Sequence, residues 1–237
     1  MPPPVDPTVD GALVRARSVR SYVTRAGRIT AAQQRALEEL WPRFGVDFGP
    51  ARLDLDRLFG RSAPRTLEIG FGNGEHLLER AAAEPQGDFL GIEVHRPGVG
   101  HLLLGAARAG IGNLRVLAHD AVEVLEVQIP PSSLDALQLL FPDPWPKKRH
   151  QKRRIVSPSF VALAVSRLKT GARLHLATDW EPYALQMREV LDSCNALGNC
   201  APGGGFLESG LARTATRFER RGERLGHRVH ELLYERC

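Results

Sequence analysis

From residue 65 onward, short apolar strand-like stretches alternate with amphipathic helical ones, and this alternation constrains the fold more than any other feature of the chain. Strands are expected at 66–69, 88–93, 114–117, 134–141 and 172–178, and helices at 75–83, about 98–109, 157–168 and 181–194. Repeated strand–helix units specify an α/β fold, a mostly parallel sheet with helices on both faces, whose ligands bind at the carboxyl ends of the strands. A looser stretch containing Gly203-Gly204-Gly205 precedes a last apolar run, 229–235, that reads as a final strand. Upstream, Thr30 and Gln33 have the spacing of a capping box opening a helix over 31–40, with Trp41-Pro42 expected to stop it. Residues 1–30 begin Pro-rich and then carry Arg15, Arg17, Arg20, Arg25 and Arg28. They read as a disordered basic arm, and 31–237 as one domain.

With 237 residues, 43% of them apolar, the chain can bury a core without covalent staples. Cys194, Cys200 and Cys237 form no paired framework and no zinc-spaced cluster, which excludes a disulfide-built secreted fold and a structural metal. The first residues lack the basic start and apolar stretch of a signal peptide, and no segment approaches the roughly 18 apolar residues of a membrane span, so a cytoplasmic protein is expected. Charge is unevenly spread: residues 1–66 carry 11 basic and 7 acidic side chains, 67–140 carry 4 and 10, and 141–237 carry 17 and 10. Three of the four lysines, Lys147, Lys148 and Lys152, fall within six positions. That concentration points to a polyanion, nucleic acid before an anionic membrane, because no amphipathic anchor accompanies it.

Two regions carry chemistry. Glu68-Ile69-Gly70-Phe71-Gly72-Asn73-Gly74 ends a strand and opens a helix, where glycines let the backbone approach a ligand closely. Gly70, Gly72 and Gly74 are evenly spaced, and Glu75 occupies the place of a dinucleotide fold's third glycine, so the helix start is negative and suits no pyrophosphate. An acid before the loop suits a ligand with an ammonium group, which fits S-adenosylmethionine. Glu93 ends the next strand, where it can accept from ribose hydroxyls, and Asp120 follows the third, where it can accept from an adenine amino group. For any one of these acids, capping the following helix is the better reading; three at successive strand ends favour a cofactor site. The second region, Phe141-Pro142-Asp143-Pro144-Trp145-Pro146-Lys147-Lys148, continues as Arg149-His150-Gln151-Lys152-Arg153-Arg154. It follows the longest apolar strand, is stiffened by prolines, and joins one carboxylate and one aromatic to a cationic strip. Trp145 suits either base stacking or anchoring of the loop.

On these residues, with Gly91-Ile92-Glu93-Val94-His95, Ala177-Thr178-Asp179 and Thr216-Arg217-Phe218-Glu219-Arg220-Arg221-Gly222, the chain resembles the bacterial tRNA (guanine-N7-)-methyltransferases from about Val19 onward. Ser18 to Thr30 is similar to that family's basic N-terminal segment, whereas Ala215 stands where the family pattern has proline. The resemblance implies a class I, Rossmann-like methyltransferase fold and methyl transfer from S-adenosylmethionine to N7 of guanosine 46 in the tRNA variable loop. It places Glu68, Gly70, Gly72, Gly74, Glu93, Asp120 and Asp143 at the cofactor and makes Asp143 the catalytic acid residue. Lys147, Asp179, Thr216, Arg217, Phe218 and Glu219 would contact the guanine nucleotide, and Arg149, His150, Gln151, Lys152, Arg153 and Arg154 would track RNA. The rival readings are methylation of an exocyclic amine, against which Trp145 breaks the required Pro-Pro-aromatic element, and an RNA-binding protein of the same fold without activity.

Overall fold

The structure, a computed structural model, describes residues 19–22, 27–207 and 228–237. The N-terminal part is helical: α1 (Ala31–Glu39), α2 (Trp41–Phe44) and α3 (Leu55–Phe59). Both capping-box bonds form, the Gln33 amide to Thr30 Oγ1 at 3.2 Å and the Thr30 amide to Gln33 Oε1 at 2.9 Å. α1 stops just before Trp41-Pro42, as expected, and that pair then starts the separate turn of α2, because a proline in a helix's first turn forfeits no intrahelical hydrogen bond.

The alternating region comprises β1 (Arg65–Ile69), α4 (Glu75–Ala83), β2 (Asp88–Ile92), α5 (Arg96–Arg108), β3 (Leu114–Leu117), α6 (Ala121–Val127) and β4 (Leu134–Leu140). A 3-10 turn (Lys148–Arg153) leads to α7 (Pro158–Arg167), β5 (Leu168–Thr178), α8 (Glu181–Asp192), β6 (Leu197–Asn199) and β7 (His230–Arg236). The seven strands form one sheet in the order β3-β2-β1-β4-β5-β7-β6. The first five positions pair in parallel, and β7 runs antiparallel to both β5 and β6. Phe89 and Leu90, neighbours on β2, belong to different apolar clusters, one with α4 and α5 and the other with α6, α7 and α8. Alternation along the strand thus buries both faces of the sheet. The chain works outward from β1 to β3 and then returns to β4 on the other side of β1. That reversal opens a crevice at the carboxyl ends of β1 and β4.

Candidate functional site

Gly70, Gly72 and Gly74 all adopt left-handed backbone conformations, with φ of 71°, 61° and 78°. The turn between β1 and α4 is held from the next strand: Glu93 Oε2 accepts from the Gly72 amide at 2.8 Å, and Oε1 accepts from the amides of Val94 and His95 at 2.7 and 2.9 Å. The loop lies directly on α5. A Cβ on Gly98 would sit 2.0 Å from the Gly72 carbonyl oxygen, backbone that cannot rotate away. Gly98→Ala is therefore expected to cost about 1–3 kcal/mol of stability and to weaken cofactor binding, read by thermal unfolding and by calorimetry with S-adenosylmethionine.

Beyond this loop a cavity of about 280 Å³ opens between β1, β2 and β4. Tyr22, Gly70, Gly72, Glu93, His119 and Asp143 are on its wall, with Ile69, Ile92, Leu139 and Ile155 giving it apolar sides. Burial, reinforced by the Asp120 charge, pushes the Tyr22 phenol above its ordinary value. The other two acids singled out in the sequence stand behind the wall. Glu68 is buried, its Oε2 2.8 Å from His76 Nδ1. Asp120 caps α6, its Oδ1 accepting from the amides of Val122 at 2.9 Å and Glu123 at 3.3 Å. Its Oδ2 is buried and has no partner among the described residues. The capping reading is thus realised at Asp120, and a second acceptor is left over. Gly74 packs against Leu102 and is not on the cavity wall. His119, its ring stacked 3.8 Å from Phe48, closes the neighbouring side.

The loop after β4 holds Asp143 at the rim. Phe141 and Trp145 bracket it in left-handed conformations, φ 52° and 43°, which side-chain-bearing residues adopt only when the surroundings enforce them. Trp145 is an anchor: its Nε1 donates to the Ser21 carbonyl at 3.1 Å, and Arg153 and His150 lie against its ring. Lys147, Lys148, Arg149, Gln151 and Lys152 are exposed along the 3-10 turn. His150 has its imidazole pushed below the ordinary value by lost hydration and by Arg149, Arg153 and Lys147, so it adds no charge to the strip at neutral pH.

Arg154 departs from the strip. Its Nε donates to the Pro144 carbonyl at 2.9 Å, its Nη1 to Gln186 Oε1 at 3.2 Å, and its guanidinium lies 4.7 Å over the Tyr183 ring. The sequence placed it with the RNA-tracking residues, but its partners turn it inward, against the backbone next to Asp143. Tyr183 beneath it is fully buried, its phenol raised by burial to about 12, so it serves as a neutral platform. Asp179 follows β5, and the aromatic exposed next to it is Trp180, at 37%. Sequence reasoning passed over Trp180; its place directly after a strand-end Asp was the available signal. Thr216, Arg217, Phe218 and Glu219 lie outside the described residues. Among the described residues no group of three or more His, Cys, Asp or Glu side chains is placed to hold a metal ion, and no helix is long and apolar enough to cross a membrane.

Residues 62–232 match a family model described as "Putative methyltransferase". The chain is 56% identical over 220 residues to a tRNA (guanine-N(7)-)-methyltransferase of Methylococcus capsulatus, covering 93% of this chain and 95% of that protein. A protein of the same description from Halorhodospira halophila is 55% identical, with 92% and 95% covered. Among solved structures, the aminoglycoside resistance methyltransferase NpmB1 superposes with a TM-score of 0.54 at 15% identity, over 80% of this chain and 95% of that one, a likeness of fold.

Proposed function

The chain belongs to the tRNA (guanine-N7)-methyltransferase family and is an S-adenosylmethionine-dependent enzyme of that class, and we propose that its target is N7 of guanosine 46 in the variable loop of cytoplasmic tRNA. The observation that carries the site assignment is the cavity at the switch between β1 and β4, with Asp143 at its rim and, buried next to its wall, the acceptor Asp120 Oδ2, which has no partner among the described residues. These residues fit the cofactor. Glu93 braces the glycine loop through the Gly72 amide and faces the cavity, where it would accept from ribose hydroxyls. Asp120 Oδ2 would accept from the adenine amino group, and Glu68, steadied by His76 through Oε2, would hold the ammonium group. Gly70, Gly72 and Gly74 shape the turn that lets the backbone come close.

When bound, S-adenosylmethionine supplies an electrophilic methyl group on a positively charged sulfur. Guanine N7 presents an in-plane lone pair and carries no proton, so this chain has no proton to remove at the attacking atom. Asp143 instead orients the base by accepting from its ring or amino N–H, and its negative charge stabilises the cationic purine as it forms. Lys147 and Asp179 hold the guanine nucleotide, together with the stretch Thr216 to Glu219. Arg149, Lys152 and Arg153 bind the phosphate backbone without reading sequence. In this reading residues 1–30 form a basic arm and 31–237 the methyltransferase domain, with the arm's Ser21 and Tyr22 already seated against the Trp145 loop and the cavity.

The test is transfer of labelled methyl from S-adenosylmethionine to unmodified tRNA transcripts, followed by nucleoside mass spectrometry, with a guanosine-to-adenosine change at position 46 as control. N7-methylguanosine that disappears in the control is expected; label on an exocyclic amine, or N7-methylguanosine that survives the control, refutes the assignment. Neutralising Arg149, Lys152 and Arg153 together is expected to flatten the slope of log Kd for tRNA against log[salt] by about two to three units while kcat at saturating tRNA stays near the wild-type value.

A further inference from the structure

Away from the cofactor cavity, on the far side of the segment joining α2 to α3, lies an open groove of about 670 Å³. Its walls carry Arg43, Arg52, Arg57 and Arg115, with Asp54 the single acid among its lining residues. That concentration is conspicuous because Arg115 comes from the acidic middle of the chain, where residues 67–140 hold only 4 basic side chains against 10 acidic ones. Three of the guanidiniums are fixed in place. Arg43 donates to the Ile111 carbonyl at 3.3 Å and lies 4.7 Å over the Phe44 ring. Arg52 donates to the Ile129 carbonyl at 3.1 Å. Arg115 donates to the carbonyls of Gly112 and Leu114 at 3.0 and 2.8 Å and lies 5.1 Å over Phe59. Each of these contacts uses one nitrogen of a group with five N–H donors, so the positive charge is held in position with donors to spare. Burial pushes the Arg115 guanidinium below its ordinary value, the Asp88 charge opposing that shift and the smaller effect of Arg43 adding to it.

We propose that this groove is a second binding site for the phosphodiester backbone of the tRNA, separate from the catalytic edge. The proposal rests on the tRNA reading above. It follows from size as well as charge: a folded tRNA is far larger than the 280 Å³ cavity and must lie over surface well beyond it. The groove is connected to the catalytic edge by its own wall. Gln128, which lines it, donates to the Asp47 carbonyl at 3.0 Å, and Phe48, the next residue, stacks on His119 at the cofactor cavity.

The experiment compares the full chain with an Arg57→Glu variant, sparing Arg43, Arg52 and Arg115, which brace the backbone at Ile111, Ile129, Gly112 and Leu114. Expected are a roughly five- to tenfold rise in the Kd for tRNA at 0.1 M salt and a log–log salt slope shallower by about one to two units. Melting temperature, S-adenosylmethionine affinity and kcat at saturating tRNA should stay unchanged, and a short hairpin carrying only the variable-loop guanosine should bind both proteins equally. Unchanged tRNA affinity and slope overturn the proposal, as does an equal loss for tRNA and hairpin, which marks a diffuse charge effect. A lowered melting temperature overturns it by assigning Arg57 to folding, and competition of wild-type tRNA binding by millimolar inorganic phosphate at constant ionic strength assigns the groove to free phosphate. These readouts are binding comparisons. If the wild-type protein binds tRNA but methylates no N7, the functional reading fails and the groove result still stands or falls by itself.

Discussion

Asp143→Ala is expected to lower kcat by at least a hundredfold while changing tRNA affinity by less than about threefold. The asymmetry follows from what the residue does. Asp143 sits exposed at the rim of the cavity, in a loop held from below, so its loss leaves the surface that grips RNA intact. Removing it takes away a negative charge aimed at the ring on which positive charge develops, and losing one such preorganised group typically costs about 10²–10³ in rate. Because N7 needs no deprotonation, Asp143 serves as an ionised acceptor and charge, and Asp143→Asn should recover part of the activity by supplying a hydrogen-bonding partner without charge. Single-turnover transfer to tRNA, with Kd measured separately by filter binding, separates the two quantities. Wild-type turnover in Asp143→Ala would remove Asp143 from the mechanism.

The same loop shows why some of the architecture was legible in the sequence and some was not. The alternation of strands and helices after residue 65 could be read because each parallel strand is buried on both faces and each helix shows its own period, signals local to five to thirteen residues. Elements whose existence depends on distant partners escaped. β6 is three residues long and forms only by pairing with β7, and α6 is a Val-rich stretch that reads as readily as strand, although Asp120 was its visible cap. β5 begins at Leu168, earlier than its apolar alternation suggests, because a register shift lets Leu168 pair with Leu134 ahead of the regular ladder. In the site the acids themselves were legible, since strand-end carboxylates stand out against apolar strands. Their second partners were not: His76 reaches Glu68 across the glycine loop, a contact that exists only after β1 and α4 have packed.

Arg154 is the sharpest instance, and it yields the second large effect. In the sequence it is one of six basic residues in a run of eight, indistinguishable from its neighbours; the difference is made by Tyr183 and Gln186 on α8, about thirty residues away. Burial pushes its guanidinium below the ordinary value, which fits a side chain chosen for geometry over exposed charge. With Nε on the Pro144 carbonyl, Nη1 on Gln186 and its face over Tyr183, Arg154 ties the residue after Asp143 to α8 and so supports the left-handed turns at Phe141 and Trp145. Arg154→Ala is expected to cut kcat by about ten- to a hundredfold, the consequence of a catalytic group displaced by around an ångström, with the tRNA salt slope unchanged. Arg154→Lys discriminates between the two roles. A lysine replaces an arginine at a phosphate but cannot form this fork and stack at once, so it should rescue almost nothing if Arg154 positions the loop. Near-wild-type kcat in Arg154→Lys, or a shallower salt slope with normal kcat in Arg154→Ala, would return Arg154 to the RNA-binding strip and leave the strained turns around Asp143 to be held by contacts such as Trp145 with Ser21 and the Phe141 amide with Ala177.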